Sequence, residues 1–129
     1  FSLFGEPDDI KAFGVNSKNY SVILSGMAIL KYPNFIAIIR WGINFQYKNE
    51  ISFSTSTDNY IFNRIFSKPH DLETNYIKKN FKTSKIIKIG KDDQFLKMIE
   101  QTFLGETNIK DRYDMLKISK IISQIQEQL

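Results

Sequence analysis

The sequence predicts an α+β fold: a largely antiparallel open β-sheet of about six strands, with helices packed on one face and the last two helices at the C-terminal end. Three observations carry this expectation. Between Asp9 and Ile89 the apolar residues recur in short runs, several of them alternating with a period of two. The breaks between runs are short and built from Pro, Asn, Asp and Lys, so successive runs pair as hairpins and therefore antiparallel. From Asp92 onward the period lengthens to about 3.6, so helices follow the strands instead of alternating with them.

Taken in order, Gly5 and Pro7 mark a turn, and Asp9 to Val15 makes a first strand through Ile10, Ala12 and Val15. Tyr20 to Tyr32 is a second extended run, and Pro33-Asn34 turns it tightly into the third. The third run, Phe35 to Phe45, is apolar on both alternating sets, with Phe35, Ala37, Ile39 and Trp41 against Ile36 and Ile38. Such a strand is expected to be covered on both faces. The fourth alternates cleanly, Ile51, Phe53 and Thr55 against Ser52, Ser54 and Ser56, as a half-buried strand does. The fifth carries Ile61 and Ile65 against Phe62 and Phe66, with Asn63 and Arg64 as polar exceptions. After Lys68-Pro69-His70-Asp71, Glu73 to Phe81 and Lys82 to Ile89 read as two more strands.

A first helix follows, with Asp92 as N-cap, Asp93 at the positive end of the dipole, and Phe95, Met98, Ile99, Thr102 and Phe103 on one face. Gly105 suits its C-terminal left-handed residue. A second helix runs from about Asp111 to Gln128, capped by Asn108 or Asp111. Its Met115, Ile118, Ile122, Ile125 and Leu129 recur at helical spacing, supported by Ile121.

Composition narrows the function classes. The 129 residues suffice for one domain with a real core, and eleven Phe favour a sheet. Without Cys there are no disulfides, thiolate zinc sites or cysteine nucleophiles, which favours a cytoplasmic protein. No apolar run approaches the roughly 20 residues that cross a bilayer, and no signal peptide is visible. The opening FSLFGEP reads as the tail of an apolar segment, so the chain is expected to be part of a longer protein. The net charge is +4, with lysines clustered at Lys78, Lys79, Lys82, Lys85, Lys88 and Lys91. Without a recognition helix or interleaved aromatic motif, these read as solubilising charges on strands, not as a nucleic-acid surface.

The run WGINFQYKNEISFSTSTDNYIFNRIFSKP resembles a block in the C-terminal domain of the glucose–fructose oxidoreductase, inositol dehydrogenase and rhizopine-catabolism (Gfo/Idh/MocA) family, matched at Gly42, Tyr47, Asn49, Arg64, Phe66 and Pro69. DDQFLKMIEQTF is similar to a helix of that family at Asp93, Phe95, Met98, Ile99 and Phe103. LFGEPDDIKAFG resembles its strand entry at Phe4, Gly5 and Pro7, and RYDMLKISKIISQI its closing helix. Four short blocks in the right order span nearly the whole chain. One departure is the turn at Asp58-Asn59, where the family has glycine; both residues tolerate left-handed backbone.

The resemblance implies that residues 1–129 form a C-terminal substrate and oligomerisation domain, with an N-terminal Rossmann domain lying outside this chain. It implies a parent enzyme that moves a hydride between NAD or NADP and a sugar, nucleotide sugar or related polyol. The six glycines form no Gly-x-Gly-x-x-Gly cradle for a pyrophosphate. Lys68-Pro69 matches the family's Lys-Pro motif only as a dipeptide and follows the wrong strand. Catalytic and cofactor-binding residues are therefore expected outside the chain, and none is assigned within it.

Tyr47, Asn49 and Arg64 are the substrate-binding candidates. Arg64 offers a fork of donors to a hydroxyl or phosphate, although an arginine there also suits pairing with a carboxylate or covering the sheet with its stem. Asn49 equally suits a purely local turn role. His70 beside Asp71 lacks the three or four converging ligands of a metal site, so no metal is expected. Phe35, Ile39, Trp41, Ile51 and Phe53 are the interface candidates. A sheet apolar on both faces needs two covers, and two helices supply one. A homo-oligomer through the sheet face is the expectation, with no nucleic-acid or membrane partner. The alternative class is a stand-alone binding module, an immunity or adaptor protein whose basic patch holds an acidic partner. A reading frame continuing upstream into a glycine-rich βαβ segment separates the two.

Overall fold

The computed structural model describes residues 4–18, 22–66, 68–103 and 109–129. Among these residues seven strands and two helices follow one another: β1 (Asp9–Asn16), β2 (Ile23–Lys31), β3 (Ile36–Gly42), β4 (Glu50–Ser54), β5 (Asn59–Asn63), β6 (Thr74–Lys79), β7 (Ser84–Ile89), α1 (Gln94–Phe103) and α2 (Ile109–Gln126). Strands first and helices last make the α+β order, and every strand pair is antiparallel. Tyr20, Gly105 and Asn108 lie outside the described residues, as do the side chains of Thr102 and Asp111.

The strands form two open sheets, ordered β1-β2-β3 and β4-β5-β6-β7, where the sequence predicted about six strands in one. The cause lies after Gly42. Asn44 takes a left-handed conformation, with φ 62°. The Phe45 ring folds back over Gly42, into the space a Cβ would occupy. The third strand therefore ends at Gly42, short of the expected Phe45. The chain divides accordingly into two compact units, Phe1–Phe45 with Thr107–Leu129, and Gln46–Glu106.

In the first unit α2 packs on one face of the three-stranded sheet. Ala12, Ala28, Leu30 and Tyr32 are buried, and Ala37, Trp41, Ile121, Ile125 and Leu129 close over them. Ile121 and Ile125 form the seam of α2, continued at spacing four by Leu129 just beyond the helix, while Met115 stays 68% exposed. Gly26 leaves room for the Trp41 ring of the neighbouring strand, and Gly14 for Leu129. Tyr32 and Phe35 stack at 4.4 Å, with Phe4 against both. The register pairs Ala28 with Ile39 and Ile29 with Ile38, so alternation puts Ile36 and Ile38 on the face away from α2, beside Met27, Ile29, Phe13 and Val15. Ile36 is 64% exposed there and Ile38 54%.

In the second unit the four-stranded meander carries an aromatic ladder. Phe53 stacks on Tyr60 at 4.9 Å and Phe62 on Tyr76 at 4.8 Å, with Phe53 and Phe62 5.8 Å apart. Ile51 lies opposite Phe62 and Ile87 opposite Tyr76, so they extend the same face. Ile61, Ile77 and Ile86 line the opposite one. The β6–β7 turn is built by Asn80, whose Oδ1 accepts from the backbone of Lys82 and Thr83. Phe81 stands exposed at its tip.

Two local expectations change. The N-cap of α1 is Asp93, whose Oδ1 accepts from Phe95 N and Leu96 N at 3.1 and 2.9 Å. Asp92 instead accepts an ion pair from Lys97 at 2.7 Å. The turn at Asp58-Asn59 uses no left-handed residue; among the described non-glycine residues only Asn44 and Arg64 have positive φ. Thr55 closes that turn, its Oγ1 accepting from Asp58 N at 3.0 Å. Phe95 and Phe103 of α1 remain 55% and 86% exposed.

Candidate functional site

Tyr47, Asn49 and Arg64 come together at one end of the four-stranded sheet. Asn49 immediately precedes β4, and Arg64 follows β5, which pairs with β4 from Glu50↔Asn63 onward. The ladder continues one step past that pair, because Arg64 N donates to Asn49 O at 2.7 Å. Arg64 then turns left-handed, with φ 52°, ending the strand.

Its strain is held by the Asn49 carboxamide. Oδ1 accepts from Phe66 N at 3.0 Å, and Nδ2 donates to Phe66 O. A side-chain amide thus supplies both bonds that a strand neighbour would exchange with Phe66. The second Nδ2 hydrogen goes to Tyr47 Oη at 3.0 Å. With both hydrogens engaged, the Asn49 carboxamide has no donor left for a ligand. Its role is to position Tyr47 and the segment from Arg64 to Phe66, so it reaches beyond its own turn.

Tyr47 Oη accepts from Asn49, so its own O–H is left to donate elsewhere. The Arg64 guanidinium carbon stands 5.6 Å from the centre of the Tyr47 ring. Both side chains are exposed. Together they present a phenol O–H and a guanidinium fork, donors suited to sugar hydroxyls or phosphate oxygens.

The interface candidates fall in three places. Ile51 and Phe53 lie on the aromatic-ladder face. Ile39 and Trp41 share the α2 side of β3, Trp41 packing on the core. Phe35 precedes β3 in its stack with Tyr32. Both residue sets of β3 are apolar, so alternation alone does not say which set meets α2. The face away from the helix carries Ile36 and Ile38 instead.

The lysines are dispersed. Lys78 and Lys85 face each other on the ladder side, while Lys79 and Lys88 point the other way and Lys82 sits in the turn. Lys78 pairs with Asp58 at 3.5 Å and lies 5.4 Å from the Tyr60 ring centre. The Tyr60 hydroxyl, and after it the Asp58 carboxylate, hold the Lys78 ammonium above the usual lysine range. His70 is exposed, and no three His, Asp or Glu converge on a metal position among the described residues. No helix among them is long and apolar enough to cross a membrane.

No protein-family model and no curated protein matches the sequence. Solved structures do share the fold. KijD10, a 3-ketoreductase from Actinomadura kijaniata, in complex with NADP, matches with a TM-score of 0.84 at 20% identity, over 93% of this chain and 41% of that chain. Its complex with NADP and TDP-benzene gives the same score and identity over 93% and 39%. An open conformation of that complex gives 0.76 at 22% identity over 84% and 37%. The chain thus spans about two-fifths of the length of the protein it resembles. The α+β class and the antiparallel pairing expected from the sequence are the ones found, in an architecture shared with part of a ketoreductase.

Proposed function

We propose that this chain is the substrate-holding and subunit-contact part of a Gfo/Idh/MocA-type oxidoreductase. The parent enzyme reduces or oxidises a sugar, nucleotide sugar or related polyol with NAD or NADP. The cofactor and the proton-transfer residues are supplied by a Rossmann domain outside residues 1–129. The observation that carries this reading is the donor pair of Tyr47 and Arg64, fixed by Asn49 within a fold shared with an NADP-complexed 3-ketoreductase.

In this reading Arg64 holds a phosphate or vicinal hydroxyls through two parallel N–H donors. Tyr47 donates its O–H to a neighbouring oxygen. Asn49 keeps both in place and touches no substrate. A nicotinamide bound by the parent enzyme would supply the hydride chemistry; this chain contributes orientation of the sugar carbon. Subunit contact is proposed through the open sheet faces. The exposed Ile36 and Ile38 support it, as do Ile51 and Phe53 on the ladder. The dispersal of lysines over both sheet faces gives a basic docking patch no support.

The test uses the chain itself. A nucleotide sugar should shift the amide resonances of Tyr47, Asn49 and Arg64, whereas NADPH should neither shift them nor gain fluorescence. The chain should not turn over NADPH with a keto sugar nucleotide. Turnover, or NADPH binding to this chain, would overturn the division of labour.

A further inference from the structure

β1 lies at the edge of its sheet, so one side of its backbone has no strand neighbour among the described residues. Such an edge templates pairing with other chains unless it is blocked. Here a single side chain blocks it. Just past α2, Gln128 Oε1 accepts from Ala12 N at 2.8 Å, and Gln128 Nε2 donates to Ile10 O at 3.0 Å. These two backbone groups flank Lys11. They are the pair that one residue of a parallel neighbouring strand would engage. Asn49 makes the matching antiparallel imitation with Phe66 in the other unit.

The seat of Gln128 is built, not incidental. Gln128 N donates to Ile125 O and Leu129 N to Gln126 O, both at 3.2 Å, so the chain stays wound past α2. Leu129 packs on the core and sits over Gly14, where a Cβ would come within 2.8 Å of its Cδ2. The remaining outward groups are partly occupied too, since Ile10 N donates to its neighbour Asp9 Oδ1 at 2.9 Å.

We infer that Gln128 is an edge guard: its carboxamide stands in for a strand on β1 and keeps β1 from pairing with the β1 of a second copy. The sequence of β1 suits that pairing once the guard is removed. An antiparallel twofold centred on Ala12 sets Asp9 against Val15, Ile10 against Gly14 and Lys11 against Phe13. No like charges face each other, and only the Asp9 cap on Ile10 N is left to oppose association. Edge-to-edge contact differs from the sheet-face contact proposed above and is independent of the enzyme reading.

The test is Gln128→Ala in the full chain. Amide exchange at Ala12 should quicken about tenfold, while Lys11 and Phe13, which point towards β2, keep their protection. Sedimentation velocity should show a larger species than wild type forms at the same concentration. Adding Ile10→Pro, whose lost N–H makes no bond to β2, should return the wild-type profile. Unchanged Ala12 exchange, wild-type sedimentation of Gln128→Ala, or association that survives Ile10→Pro would each overturn the inference. Loss of protection at Lys11 and Phe13 as well would mean that Gln128 holds up the unit as a whole, which also overturns it.

Discussion

Replacing Asn49 by Ala removes three hydrogen bonds at one stroke. Two go to the backbone of Phe66 and one to Tyr47 Oη. A hydrogen bond contributes about 1 kcal/mol net, and each of these three, all exposed, about two-thirds of that. Phe66 is itself exposed, so water re-satisfies its N–H and C=O after the truncation. The expected loss is therefore about 2 kcal/mol, without the larger penalty of burying unpaired groups. For 129 residues unfolding together, that corresponds to about 7 °C in Tm. Urea titration followed by far-ultraviolet circular dichroism reads it as a lower midpoint at unchanged slope. Asn49→Asp sharpens the argument. The carboxylate still accepts from Phe66 N, but it has no donor for Phe66 O and sets a charge against that carbonyl. It should be at least as destabilising as Ala at neutral pH. A loss under about 0.5 kcal/mol for Ala, or a neutral Asp variant, would refute the idea that this carboxamide ties the two segments together.

Three further outcomes follow from the local geometry. Asp93→Ala should lower stability by about 1 kcal/mol, seen in the urea midpoint, because it deletes the N-cap of α1; Asp92→Ala should leave the cap intact. The hydrogen bond from Lys97 holds the Asp92 carboxyl below the usual carboxylate range. A depressed folded-state value stabilises above the ordinary Asp value, and that stabilisation is lost as pH falls through the folded value. The gap in urea midpoint between wild type and Asp92→Asn should thus be complete at neutral pH and close in acid; a gap unchanged in acid would contradict the assignment. Gly26→Val should displace Trp41, the only tryptophan, at a cost of about 1–3 kcal/mol, and shift its fluorescence to the red; an unmoved emission maximum would show that the ring does not rest on Gly26.

The strands were legible because alternation reports directly on which side chains share a face. The fourth run shows this best: Ile51 and Phe53 do lie together on the aromatic ladder, and the serines lie opposite. β3 was legible as a strand but not in orientation, since both of its residue sets are apolar. The usable signal was Gly26 on β2, a small residue opposite the large Trp41. The sheet boundary was hidden for a related reason. Ile43 and Phe45 continue the apolar pattern past Gly42, and only the left-handed Asn44 interrupts it. Adjacent Asp92 and Asp93 leave a cap ambiguous by one residue, which geometry alone resolves.

The site was legible by residue type and not by role. Arg64 stood out as a polar exception in an apolar strand, and Tyr47 and Asn49 as residues at a turn that match the family block. The bond that organises them joins Asn49 to Phe66, seventeen residues away, and no short-range pattern encodes it. Gln128 was invisible in sequence for the same reason. It is one polar residue among several at the end of α2, and its partners lie more than a hundred residues earlier.

Calorimetric titration of a nucleotide sugar into this chain and into Arg64→Ala tests the central claim most directly. Saturable binding to the wild type is expected, at least tenfold weaker binding to Arg64→Ala, and incomplete recovery with Arg64→Lys, since a point charge cannot reproduce the bidentate fork. Equal affinity for wild type and Arg64→Ala, or no binding by either, would contradict it.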